Sequence, residues 1–207
     1  NSQTDSAYSS DFRNRFFLTL QKRASATSSW SYRLSGYGEH QRFIYSMADT
    51  TKISNLAAGL EGSFGLGKNR LELNYVNIIS GDDRSNYSLQ TTYSRDIRHF
   101  TLNVFYRDLL SSPSMIFRSM SGNHFKWQKE FSPIQVTEAA LKISNTSYGI
   151  ALTFSQQKTG NYLFFGTDAL PVQSENAFIT NSIRLEKDFR WRDWGSDHWI
   201  HYQKIAT

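Results

Sequence analysis

The chain has no cysteine, so it can build neither a disulfide framework nor a thiolate metal site, and the missing residue gives no information on redox compartment. Proline is scarce at three residues, and charged residues make up only 20%, below the quarter common in soluble domains. Long hydrophobic runs are missing too. No stretch approaches the ~18 apolar residues of a membrane-crossing helix, which excludes a helical membrane protein. A transmembrane β-barrel stays open, because its strands hide apolar residues in alternation rather than in runs. The formal net charge is +5, yet Lys and Arg are scattered and form no basic arm, so no nucleic-acid partner is expected.

What the 207 residues do have is aromatics, at 15% with 15 Phe and 11 Tyr, and a repeated period of two. Tyr87, Leu89, Thr91 and Tyr93 alternate with Ser88, Gln90, Thr92 and Ser94. Phe100, Leu102, Val104 and Tyr106 alternate with Thr101, Asn103 and Arg107, and Phe105 breaks the polar side once. The same pattern runs through 54–66, 70–76, 148–157 and 179–189, and more weakly through 12–23. Residues 134–144 carry Glu, Ala and Leu but lie between strands and read as a strand. Residues 1–9 are polar and gain order only from neighbours. Turn residues separate these segments at 67–69, 80–86, 95–98, 145–147 and 159–161. The expectation is roughly ten to twelve antiparallel strands joined mostly as hairpins, with no helix of convincing period. Short and long connections alternate from 67–69 to 108–123, as in porin-like barrels. The start without Met and the end straight after a strand-like stretch suggest a single portion, 1–207, of a larger barrel.

An amphipathic meander can turn its apolar faces inward, as a soluble sandwich or barrel, or outward to lipid around a polar lumen. Polar faces rich in Ser, Thr, Asn and Gln with charges of both signs favour the second solution, as do apolar faces bounded by aromatics. The lumen-lining candidates are then Arg70, Glu72, Asn74, Gln90, Asn103, Arg107, Arg184 and Glu186. The membrane-interface candidates are Tyr75, Tyr93, Tyr106, Trp127, Tyr162, Phe164, Trp191, Trp194 and Trp199. Arg190-Trp191-Arg192-Asp193-Trp194 fits an anchor with indoles at headgroup level and Arg reaching phosphate or glycolipid.

The second half is more specific. Gly122-Asn123-His124-Phe125-Lys126-Trp127, then Asn161-Tyr162-Leu163-Phe164-Phe165 running into Ala169-Leu170-Pro171-Val172-Gln173, then Tyr202-Gln203-Lys204, occur in order. This series resembles the "putative porin" family of outer-membrane β-barrels in Bacteroidota, best over 113–204. The resemblance implies an all-β antiparallel up-and-down meander in the bacterial outer membrane. It further implies a passive channel for small hydrophilic solutes or a structural subunit of a larger outer-membrane complex. Partners would be membrane lipids, outer-leaflet glycolipid and other outer-membrane proteins. The segment 160–173 then reads as a barrel strand ending in an aromatic girdle.

Catalytic and cofactor readings find little support. His198 and His201 are three apart, which on a strand puts them on opposite faces, a poor metal pair; His40, His99 and His124 stand elsewhere. Asp82 and Asp83 read as a solvated loop tip. Glu61 and Glu72 read as lumen carboxylates balanced by Arg70 and Lys68 rather than as a glycosidase pair. Gly62–Gly67 precedes a strand, not a helix, and cannot open a phosphate loop. The expectation is no enzyme, no cofactor and no metal. A soluble all-β carbohydrate-binding module remains the alternative.

Overall fold

Alternation dictates the architecture: a chain whose side chains repeat every two residues can shelter one face only by pairing strands into a sheet. The computed structural model describes residues 8–24, 29–46, 50–121 and 126–206. Residues 1–7, and Gly122 to Phe125 of the first motif with its His124, lie outside that set. The long strands are β1 (Tyr8–Lys22), β2 (Trp30–Ser46), β3 (Thr50–Leu66), β4 (Asn69–Gly81), β5 (Tyr87–Ile97) and β6 (Phe100–Ser111). After a short helix α1 (Met115–Arg118) and short strands β7 (Ser119–Ser121) and β8 (Lys126–Gln128) come β9 (Ile134–Asn145) and β10 (Ile150–Gly160). Then follow short β11 (Leu163–Phe165) and β12 (Pro171–Gln173), and long β13 (Phe178–Trp191) and β14 (Trp194–Ala206).

The long strands form one ten-stranded antiparallel sheet, β1-β2-β3-β4-β5-β6-β9-β10-β13-β14, each paired to its predecessor, with β1 and β14 at the edges. They span 11 to 17 residues, enough to cross a bilayer, for which a tilted strand needs ~9–11. Tight turns close four hairpins at one end of the sheet, where the connection 23–29 also joins β1 to β2. Gly67, Arg98, Gly149 and Arg192 supply the left-handed residue of those turns, with φ of 56°, 54°, 58° and 52°. The opposite end carries the connections 47–49, 82–86, 112–133 and 161–177, the last two long.

The strands at 54–66, 70–76, 86–96, 100–107, 134–144, 148–157 and 179–189 form as the alternation predicts. Two features differ. The alternation does not mark β2, because Gly36 and Gly38 hold outward positions where apolar residues would show the period. Helix α1 has only four residues, too few to show a period.

The segment 160–173 is a correction. Leu163–Phe165 pairs only with Pro171–Gln173, as a small hairpin outside the ten-stranded sheet. The chain leaves β10 through Asn161, at φ 55°, and Leu163 is buried at 4% exposure. The poor alternation of Leu163, Phe164 and Phe165 reflects packing on two sides: Phe165 stacks on Phe117 at 4.9 Å and meets Trp127 at 5.8 Å. The two long connections thus interlock into a cap. Trp127 Nε1 donates to the Ile116 carbonyl at 3.1 Å, Lys129 Nζ to the Pro171 carbonyl at 3.0 Å, and Asn161 Nδ2 to the Pro133 carbonyl at 2.8 Å. Gln173 accepts from the Ser132 amide at 3.0 Å and donates to the Ser132 carbonyl at 2.8 Å.

Candidate pore-lining face

Residues directly opposite each other on antiparallel strands share a face, so the register sorts every side chain. One row runs Tyr32, Phe64, Leu71, Tyr93, Val104, Leu141, Phe154, Ile183 and Tyr202, apolar or aromatic on nine consecutive strands. One residue away on each strand, the opposite face carries Arg33, Ser63, Glu72, Thr92, Phe105, Ala140, Ser155, Ser182 and Gln203. The next row on that face is more polar still: Thr19, Ser35, Glu61, Asn74, Gln90, Arg107, Glu138, Gln157 and Thr180.

The polar face is the sheltered one. On β2, Ser35 and Glu39 are buried, while Leu34 on the same strand's apolar side keeps 45% of its surface exposed. Long polar side chains also reach past a neighbouring strand. Arg15 on β1 pairs with its register partner Glu39 and stands 3.7 Å from Glu61 on β3. Lys142 on β9 reaches Glu186 on β13 at 2.8 Å, over the small Thr153 and Ala151 of β10.

All eight lumen candidates fall on this polar face by register. Arg70, Glu72, Asn74 and Gln90 come together with Arg33, Ser35 and Glu61 around a groove of about 310 Å³. Glu72 pairs with Arg70 at 2.7 Å, while Glu61 faces Arg15 rather than Lys68. Asn103 accepts from Ser94 at 2.7 Å, and Arg107 pairs with Glu138 at 2.8 Å. Arg184 and Glu186 sit on β13, three strands beyond β6, paired at 2.9 Å, with Lys142 on the other carboxylate oxygen. Sequence reasoning missed Arg15, Glu39, Glu138 and Lys142. The alternation of Ser31, Arg33, Ser35, Glu39 and Gln41 was the available signal for β2.

Around Arg15 the face is tightly built. Its guanidinium lies 4.5 Å from the Tyr37 ring centroid and 5.7 Å from that of Phe17. Tyr37 lies over Gly59 of β3, directly opposite, where a Cβ would come within 2.1 Å of the ring. Glycine there lets the ring close over the backbone.

The interface candidates divide. Tyr75, Tyr93, Tyr106, Trp191 and Trp194 lie on the apolar side by register, with Trp191 and Trp194 paired at the tip of the last hairpin. Trp199 does not join them. It is the register partner of Glu186 on the polar face, and the Arg184 guanidinium lies 5.4 Å from its ring. Its position follows from parity, since Asp197 and His201 on the same strand face the same way. Trp127, Tyr162 and Phe164 belong to the cap connections rather than to the barrel-type sheet, and Trp127 is buried. Asp83 is no solvated tip: its backbone amide donates to Asn55 Oδ1 at 3.0 Å and its carboxylate accepts from Asn55 Nδ2 at 2.9 Å. Gly81, at φ 117°, makes this return possible, since a Cβ there would meet the Ser54 carbonyl at 2.1 Å. Among the described residues no group of three or more metal-ligating side chains gathers, and His198 and His201 lie on opposite faces as their spacing requires.

A ten-stranded meander with one continuous apolar face and one sheltered polar face defines the transmembrane β-barrel class. The family profile described as "putative porin" matches residues 1–207, and the chain belongs to that family. No curated protein matches the chain significantly. The family match thus extends to the N-terminal half, beyond the stretch 113–204 where the motifs resemble the family best.

Proposed function

We propose that the chain forms part of an outer-membrane β-barrel whose polar face lines a water-filled passage for small hydrophilic solutes. The observation that carries this reading is the contrast between adjacent register rows, apolar on one face and hydroxyl-, amide- and charge-bearing on the other. Hydroxyls and amides along the passage replace part of a solute's hydration shell, which lowers the cost of entry. The charges come largely as pairs, Arg70 with Glu72, Arg107 with Glu138, and Lys142 and Arg184 with Glu186, so the passage favours polar solutes over ions of one sign. Tyr75, Tyr93, Tyr106, Trp191 and Trp194 then meet lipid headgroups, and Arg192 at the turn reaches lipid phosphate; Arg190 turns to the polar face instead and pairs with Asp197 at 2.6 Å.

A second reading, a structural barrel within a larger outer-membrane complex, is favoured by the interlocked cap, which ties the two long connections together at one end of the sheet. Recording from planar bilayers containing the full-length folded protein separates the two. The channel reading expects unitary current steps that scale with bulk salt and a reversal potential near zero in a salt gradient. Silence from protein shown to be folded and inserted moves the assignment to the structural barrel. Stable monomeric protein in plain buffer without detergent sinks both and leaves the soluble binding module.

A further inference from the structure

The apolar side of the sheet is not level with the register. Rows of register partners run square across the strands, whereas barrel strands lean ~35–45°, so a bilayer cuts each row obliquely. One outward row shows the cut. It begins with Leu20 on β1, Leu34 on β2 and Leu73 on β4, and ends with Gln156 on β10, Asn181 on β13 and Lys204 on β14. Lys158, two residues beyond Gln156 on β10, faces the same way. A lysine on the lipid side is costly at mid-bilayer and costs little at the interface, so the row leaves the hydrocarbon here. These four residues lie toward the long connections, the end that faces the exterior in barrels of this class.

The wall just below them is hollow. A groove of about 590 Å³ runs between the row of Leu141, Phe154, Ile183 and Tyr202 and the row that ends at Lys204, and the small Ala139 opens it. One side of the groove is apolar, and the other carries Gln156, Asn181 and Lys204. Inward cations such as Arg107, Lys142 and Arg184 each meet a carboxylate within 2.9 Å. Lys158 and Lys204 have no ion-pair or hydrogen-bond partner among the described residues. Asp108, on the same side two strands from Lys158, is already engaged by the Tyr87 hydroxyl at 2.8 Å and the Thr137 hydroxyl at 2.9 Å. Gln156 Nε2 donates to Asn181 Oδ1 at 2.9 Å, which leaves the Gln156 carbonyl and the Asn181 amino group for another partner. Lys158 and Lys204 stand two strand spacings and two residues apart, about 12 Å between Cα atoms, a span that two lysine side chains close onto one phosphate.

We propose that this groove holds one phosphate-bearing glycolipid molecule of the outer leaflet. An acyl chain lies over Ala139 against Phe154 and Ile183, the phosphate sits between Lys158 and Lys204, and the Gln156 and Asn181 amides meet sugar hydroxyls. This inference rests on the apolar face meeting lipid.

Native mass spectrometry of the full-length protein, released from micelles after addition of monophosphoryl lipid A, counts the bound lipid. Dephosphorylated lipid A is the comparison and inorganic phosphate the competitor. The variants are Lys158→Gln plus Lys204→Gln, Ala139→Trp, and, as a control, Arg42→Gln plus Lys52→Gln, an outward pair on β2 and β3 away from the groove. The expected result is one lipid per chain, bound about thirtyfold more weakly by the double lysine variant, the ratio that ~1 kcal/mol per cation produces. Removing the phosphate from the lipid should cost the native protein the same factor, Ala139→Trp should weaken both lipids by filling the groove, and the control pair should bind as the native protein does. Undiminished binding by the double lysine variant, equal loss in the control pair, or displacement of the lipid by inorganic phosphate overturns the site. Protein that stays folded and monomeric in plain buffer defeats the membrane reading and the site with it, whereas inserted protein that ignores the phosphate counts against the site alone.

Discussion

Two rows of side chains, one residue apart along every strand, experience opposite environments. Tyr93, Val104, Leu141 and Phe154 point to one side of the sheet; Thr92, Ala140 and Ser155 sit beside them and point to the other. Backbone pairing is common to both rows, so the ladder itself cannot decide which one faces lipid. The side chains decide it, and a slip of one residue would exchange the faces wholesale. Ion pairs that span two strand spacings occur on the polar side, the side on which Ser35 and Glu39 are buried.

The largest effect should come from crossing the rows. Leu141→Arg, on the apolar face, is expected to destabilise the folded state in lipid by about 2–4 kcal/mol at mid-bilayer depth, and Ala140→Arg, next to it, by much less. Urea titration of folding into vesicles measures both, and equal costs would mean that the apolar row does not face lipid. Closing the Tyr37–Gly59 contact comes next. Gly59→Val forces the Tyr37 ring away and should cost about 1–3 kcal/mol by overcrowding, read as a lower urea midpoint. Removing one carboxylate has a smaller effect on stability and a larger one on conduction. Glu186→Gln leaves Lys142 and Arg184 without their shared partner, costing under about 1 kcal/mol at these partly exposed sites. It should also shift the reversal potential toward anion preference in a salt gradient, and an unmoved potential would place Glu186 outside the conduction path. Gln90→Arg should be nearly silent in stability, within about 0.5 kcal/mol, while moving selectivity the same way.

The strands were legible wherever polar and apolar residues alternated without dilution, as in 86–96 and 148–157. β2 was not, because Gly36 and Gly38 emptied its outward face; with it went the cluster of Arg15, Glu39 and Tyr37, whose members lie on different strands. Parity explains both success and failure among the aromatics. Tyr75, Tyr93 and Tyr106 have alternating neighbours that fix their side, whereas Trp199 was grouped by residue type and its strand turns it toward Glu186. The cap was hidden for another reason. Its contacts join residues such as Phe117 and Phe165, and Lys129 and Pro171, far apart in the chain and in segments too short to have a period. The one sign was negative: Leu163, Phe164 and Phe165 left no polar face, which a single-sided strand would need.

The five tryptophans are unevenly distributed. Trp191 and Trp194 face each other across the last turn, 72% and 78% exposed, while Trp127 is buried in the cap at the other end. The two ends of the sheet therefore carry different indoles. With Trp30 and Trp199 replaced by Phe, a quencher confined to lipid headgroups should darken the hairpin pair and spare Trp127 if the proposed membrane placement holds, so ultraviolet emission reads insertion one end at a time.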